Sequence, residues 1–275
     1  MNIFSVIAVA VIAAVAAALV LWVPSLLRLW RRMRIARRPF PAAWRDILRR
    51  QVPAVRELSA AHQLRLKKHV QVILAEVPFV GCAGLAIDDE IRVTIAAQAA
   101  FLLLGRGGSF GNLREVLVYP GHFVVPRSAP GAAGVVHEGR AVLAGQSWQR
   151  GQVIVAWDAV REGAADPHDG ANVVMHEFAH QLDQDTGPAN GAPYVGRGVV
   201  QQAWARVMNA EFTALQERLG RGEAGVIDPY AATNPAEFFA VTSELFFEKP
   251  LALAFERPAL YEQLVHCYRL DPATW

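Results

Sequence analysis

The stretch NVVMHEFAHQLDQDTG, from Asn172 to Gly187, decides how the rest of the chain is read. His176 and His180 stand four residues apart, with Glu177 directly after the first. Residues four apart on a helix share one face, so both imidazoles can grip one ion from the same side. Glu177 then projects toward the open coordination position, where a carboxylate can take a proton from an attacking water. Val173, Val174, Phe178, Ala179 and Leu182 make this helix apolar nearly all round, and a carboxylate buried there without a partner is costly. The competing reading is a histidine pair satisfied within the core. A third ligand has to decide between them.

The sequence narrows that search. A glycine at 183 and a histidine at 186 would mark the three-histidine metzincin pattern, but the chain has Asp183 and Thr186. No histidine occurs between 181 and 265, and His266 lies in an apolar tail segment. A carboxylate from a later helix is the natural alternative. In NPAEFFAVTSELFFE (234–248), Glu237 and Glu244 are seven residues apart, on one helical face, among phenylalanines that leave acids in need of partners. Asn234 and Glu237 also fit a capping box, the structural alternative for that acid. With Glu237 as ligand, Glu244 becomes an acid behind a ligand histidine, and Asp183 is placed in the same supporting role. Tyr230, seven residues before Glu237, can donate to an oxyanion or simply pack as a loop tyrosine. Trp148 and Trp157 read as core residues, His122 and His137 as surface or structural ones.

The chain around this site has 275 residues, enough for one large or two small domains. Six arginines and no acid precede residue 39, and the remaining 21 basic residues face 25 acidic ones, a balance of −4. No basic stripe remains to track phosphates, which argues against direct nucleic-acid binding. Cys82 and Cys267 make no disulfide framework and fit a reducing compartment. Ile3 to Leu27 carries no charge, and arginines follow it in RLWRRMRIARR. That pattern predicts one transmembrane helix with its basic flank on the cytoplasmic side: an anchor in residues 1–38, inserted through 3–27, and a catalytic domain in 39–275 facing the cytoplasm from the inner membrane.

Along that second part, residues 45–79 read as helical, with Ser59 as an N-cap. EIRVTIAAQAAFLLLG begins with strand-like alternation and turns helical. EVLVYPGHFVVP, GRAVLAGQSW and GQVIVAW read as strands of a small sheet. Helices follow over the HEFAH stretch, with Asp169 as a possible cap, then near 197–219, from Pro235, and over Pro258–Leu270. The fold class is α+β, helix-rich with a small sheet.

Four motifs in order, VLVYPGHFVVP, GQSWQRGQVIVAW, HEFAHQLD and YAATNPAEFFAVTSELFF, resemble the Mlc titration factor A family of bacterial zinc metallopeptidases. The resemblance covers most of residues 40–270. The family is similar in its catalytic core to the metalloprotease domain of anthrax lethal factor, which implies a zincin-like domain. It further implies one zinc per chain held by His176, His180 and Glu237, Glu177 as general base, and Tyr230 assisting the transition state. An aminopeptidase-like activity on peptides is implied too, as is an interaction with an Mlc-like repressor of sugar uptake. The rival reading is a binding protein that sequesters a transcription factor at the membrane without catalysis.

Overall fold

The computed structural model describes residues 3–121 and 151–275, with side chains of the first helix described at Phe4, Val20 and 22–36. The strand expected over 139–148, the end of EVLVYPGHFVVP beyond residue 121, and His122, His137 and Trp148 lie outside the described residues. The chain divides into two compact units, Met1–Pro39 and Phe40–Trp275.

The first unit is one long helix, α1 (Ile3–Ala36). A membrane-spanning helix needs about 20 consecutive apolar residues. The described side chains of α1 do not provide them: Pro24 and Ser25 are followed by Arg28, Arg31, Arg32 and Arg34, so guanidinium groups recur along the same helix. Arg34 lies over the Trp30 ring at 5.4 Å. Among the described residues no helix is long and apolar enough to cross a membrane. The expected transmembrane anchor, and the inner-membrane placement drawn from it, are corrected accordingly. The expectation rested on the absence of charge over 3–27, which alone does not make a spanning helix.

The second unit begins with α2 (Ala42–Gln51), a 3-10 turn at Pro53–Arg56, and α3 (Ala60–Glu76). Ser59 caps α3 as expected, accepting from His62 N at 3.3 Å. A short strand not foreseen from the sequence, β1 (Phe79–Gly81), precedes α4 (Asp89–Phe101). The segment expected to start as a strand is helical from Asp89. Asp88 caps it by accepting from Ile91 N at 2.9 Å, and Asp89 and Glu90 sit favourably in its first turn. β2 (Glu115–Tyr119) and β3 (Gln152–Ala156) complete a parallel sheet in the order β1-β2-β3, with Phe79 opposite Val116 and Val116 opposite Val153. Parallel strands need a crossover, and α4 supplies it between β1 and β2.

After β3 come α5 (Trp157–Ala165), also unforeseen, α6 (Val173–Asp183) and α7 (Val199–Gly220). The chain then forms α8 (Pro235–Glu248), α9 (Pro250–Glu256) and α10 (Pro258–Tyr268). A proline opens each of these last three helices, at the position where its missing N–H costs nothing. α6 packs on α8, α4 and β3, so the histidine helix is enclosed by the core. α8 is buried at every position but Pro235. Phe238, Phe239 and Phe246 are almost fully buried, as are Phe178, Trp204 and Tyr268; burial at this level stabilises by about 1.5–3 kcal/mol per large apolar side chain. Two rigid, well-packed helices thus carry the candidate ligands.

Candidate metal centre

Local sequence explains how α6 is set. Its N-cap is Asn172, whose Oδ1 accepts from Met175 N at 3.0 Å. Asp169, the cap expected from the sequence, instead closes a turn by accepting from Ala171 N at 2.8 Å. In α8, Asn234 Oδ1 accepts from Ala236 N (2.9 Å) and Glu237 N (3.0 Å). Half of a capping box is therefore present. The Glu237 carboxylate has turned to the histidines of α6.

The three expected ligands converge. One ligand atom from each of His176, His180 and Glu237 lies within 4.8 Å of the others. His176 Nε2 is 3.0 Å from Glu237 Oε2 and 3.2 Å from His180 Nε2. His180 Nε2 is 3.6 Å from the same carboxylate oxygen. His176 Nδ1 is 2.8 Å from Glu244 Oε1. With Nδ1–H donating there, Nε2 is the ring atom turned to the other two groups; it donates to Glu237 and would offer its lone pair to a cation once that proton leaves. Two imidazole nitrogens and a carboxylate gathered so closely make a donor set that one cation could share. A divalent cation with nitrogen and oxygen preferences fits this donor set.

The electrostatics agree. Burial disfavours the charged form of His176, but Glu244 and Glu237 outweigh it and hold its pKa well above the ordinary value. Burial is the main influence on His180 and brings it down to about 4, so it is neutral near pH 7 and can act as a ligand. Glu237 is also disfavoured as an anion by burial, yet hydrogen bonds from the two histidines overcome this and take it down to about 2.

Glu177 is 6% exposed, and its charge acts on both His176 and Tyr230. Tyr230 sits on a 3-10 turn, Pro229–Ala232, packed against α8. Its ring centroid is 6.2 Å from that of His176. Burial first, then Glu237, raise its pKa, so the phenol keeps its proton through the neutral range. Asp183 is fully buried, and its carboxylate accepts from Gly191 N (2.7 Å) and Ala192 N (2.8 Å). It pins the loop after α6. Gly191 makes this possible: its φ is +76°, and a Cβ there would lie 2.3 Å from Pro235 O. An open cleft of about 1000 Å3 adjoins the end of α6 and the start of α8, lined in part by Asn112, Arg114, Gln184, Asn190 and Asn234.

Two residues around the site were not singled out from the sequence. Asn172 N donates to Glu244 Oε2 at 2.5 Å, and Asn172 Nδ2 donates to Glu248 Oε1 at 3.0 Å. The signals were present: an asparagine just before an apolar helix, and an acid one turn after Glu244 in a helix of phenylalanines.

Comparison with known proteins agrees with the motifs. The model of the family described as glucose-regulated metallo-peptidase M90 matches residues 27–269. An uncharacterized protein of Synechocystis sp. is 40% identical over 245 residues, covering 88% of this chain and 89% of its own. Mlc titration factor A of Serratia proteamaculans is 34% identical over 235 residues, with 84% and 88% covered. The protein of that name from Enterobacter sp. is 36% identical over 225 residues, with 80% and 84% covered.

Proposed function

The chain belongs to the glucose-regulated metallo-peptidase M90 family, and on that premise we propose that it is a zinc-dependent peptidase, aminopeptidase-like in preference. His176, His180 and Glu237 would hold the ion. The observation that carries this reading is their convergence within 4.8 Å, with Glu244 behind His176. When bound, zinc supplies Lewis acidity toward water and the scissile carbonyl. Glu177 takes the proton from the attacking water, holds it on its carboxylate and delivers it to the departing amine. Tyr230, protonated at neutral pH, donates to the oxygen on which negative charge develops. The open cleft beside α6 and α8 is the natural path for a peptide.

The test is Glu177→Gln with metal content and peptide turnover measured together. Zinc retained with turnover abolished supports the assignment, and retained turnover refutes Glu177 as the base. A second reading rests on the name of the relatives, Mlc titration factor A. By that analogy this chain binds an Mlc-like transcriptional repressor. Capture of such a repressor by the Glu177→Gln protein as well as wild type would make binding independent of catalysis. No capture by either would remove this reading.

A further inference from the structure

Asn172 spends every polar group it has. Its N–H donates to Glu244 Oε2 at 2.5 Å, and its carbonyl accepts from His176 N at 2.9 Å. Oδ1 accepts from Met175 N at 3.0 Å, while Nδ2 donates to Gly163 O at 3.1 Å and Glu248 Oε1 at 3.0 Å. Asn172 is 2% exposed and Glu248 4%. One asparagine therefore touches the backbone of a candidate ligand, the carboxylate that faces that ligand's ring, and a third acid farther along α8.

We propose that Glu248 and Asn172 are positioning residues of the metal centre, acting on His176 through Glu244 and the first turn of α6. The inference rests on the reading of His176 as a ligand, and it extends the machinery beyond Glu244.

Three observations support it. First, Gly163 is shaped for the contact: a Cβ there would lie 3.1 Å from Asn172 Cα and 3.4 Å from Asn172 Cγ. A side chain there would press Asn172 back by a few tenths of an ångström, away from the Gly163 carbonyl that holds its amide. Second, Glu248 makes a neutral acceptor. Its Oε2 meets no hydrogen-bond donor in the described structure. Burial, with Asp169 and Glu244 nearby, outweighs the Asn172 bond and raises its pKa to about 8. A neutral carboxyl can serve Asn172 without adding a second charge beside Glu244. Third, a small cavity beside this pair has about 20 Å3 for water, close to one molecule. Its lining includes Gln98 and Trp275, where Gln98 Oε1 and Trp275 Nε1 are buried without a partner among the described residues. Gln98 and Trp275 thus share the lining of this cavity with Asn172 and Glu248.

Removing the Glu248 acceptor leaves one buried amide hydrogen of Asn172 unpaired. Rotation of the amide to find another partner gives up the Met175 cap or the Gly163 bond and loosens the N–H that orients Glu244. Outer partners of ligand histidines change metal affinity about 10- to 100-fold when lost, and the same range is expected here.

The test uses the full chain, with Glu248→Gln, Glu248→Leu and Asn172→Ser beside wild type. Imidazole NMR of the metal-free proteins follows the His176 Nδ1–H proton shared with Glu244, and cobalt(II) titration follows affinity. Glu248→Gln keeps a neutral acceptor and is expected to retain the wild-type resonance and affinity. Glu248→Leu is expected to shift or broaden the resonance and weaken cobalt binding about 10- to 100-fold. Asn172→Ser keeps a capping oxygen but loses the amide donors, so it should reproduce the Leu result and decides the matter if Glu248→Leu does not fold. A wild-type resonance in Asn172→Ser and in folded Glu248→Leu overturns the proposal, whatever the melting temperatures do. So does a Gln variant that behaves like Leu. Wild-type protein that shows the resonance yet takes up neither cobalt nor zinc overturns the peptidase reading and leaves the positioning network standing.

Discussion

Replacing Glu244 by Gln tests the site through one hydrogen-bond argument. The two Glu244 oxygens accept from His176 Nδ1 at 2.8 Å and Asn172 N at 2.5 Å, in a site where Glu244 is 7% exposed. A glutamine side chain has one acceptor oxygen and one donor NH2 in those places. The Asn172 main-chain N–H cannot change its role, so the amide oxygen must stay with it. The NH2 then faces His176 Nδ1, which can adapt only by becoming an acceptor, so that the ring's remaining proton is confined to Nε2. Nε2 is the atom that lies 3.0 Å from Glu237 and 3.2 Å from His180. A proton is thereby fixed where the three candidate ligands converge. Metal affinity should fall at least as far as for other outer-partner losses, about 10- to 100-fold, or about 1.4–2.7 kcal/mol. Exchange of charged for neutral hydrogen bonds should cost about 1–2 kcal/mol of fold stability, which lowers the melting midpoint by about 2–8 °C in a chain of this size. Competition against a chromophoric chelator measures the first quantity and thermal denaturation of the metal-free protein the second. A Glu244→Gln protein that binds zinc as tightly as wild type refutes the tautomer argument, even if its melting point drops.

Tyr230→Phe should lower kcat about 100-fold with little change in KM, since the phenol donates to the developing oxyanion, and metal content measured alongside separates this from loss of its hydrogen bond to Glu237; an unchanged kcat removes Tyr230 from the mechanism. Gly191→Ala should destabilise the fold by at least about 2 kcal/mol, because φ is +76° and the new Cβ meets Pro235 O at 2.3 Å. Denaturant unfolding measures it, and a neutral result would mean the loop pinned by Asp183 can move without cost. Glu248 should make stability fall as pH rises. Its carboxyl is held up to about 8 in the fold, against an ordinary value of 4.5. Between those values the folded state binds more protons than the unfolded state, so stability is full below the lower value and is lost up to the higher one. The slope is at most about 1.4 kcal/mol per pH unit, and it should be absent from Glu248→Gln in matched denaturation series at pH 5, 6, 7 and 8.

The fold was legible where a segment's pattern and its environment agree. Ser59, followed by apolar residues at helical spacing, marks α3, and Val116 and Val118 alternate with half-buried neighbours in β2 as a one-face strand should. It was illegible where burial is complete. The residues of α4 from Ile91 to Phe101 are nearly all buried, so its sequence carries little contrast between faces, and IRVTI looks like a strand until Asp88 is recognised as a cap. β1 has three residues, too few for any period to show. Over 3–27 the opposite holds: the charge-free composition predicts a bilayer span, which the described part of α1 does not support.

At the site, the legible part was whatever lies on a single helix. His176, Glu177 and His180 declare themselves by spacing, and Glu237 and Glu244 by being acids in a helix of phenylalanines. The pairing between helices was not written in either one. A seven-residue separation puts Glu237 and Glu244 on one face of α8, but it does not say which acid meets Nε2 and which meets Nδ1 of the same imidazole. The caps do much to settle that. Asn234 starts α8 so that Glu237 falls in its first turn, and Asn172 starts α6 so that His176 falls in its own. The Asn172 N–H then meets Glu244, two turns farther along α8. With Glu244 held there, the carboxylate on Nδ1 is Glu244, and Nε2 is left to Glu237. The ligand assignment thus depends on an asparagine that binds no metal, which is why a search confined to histidines and acids passes over it.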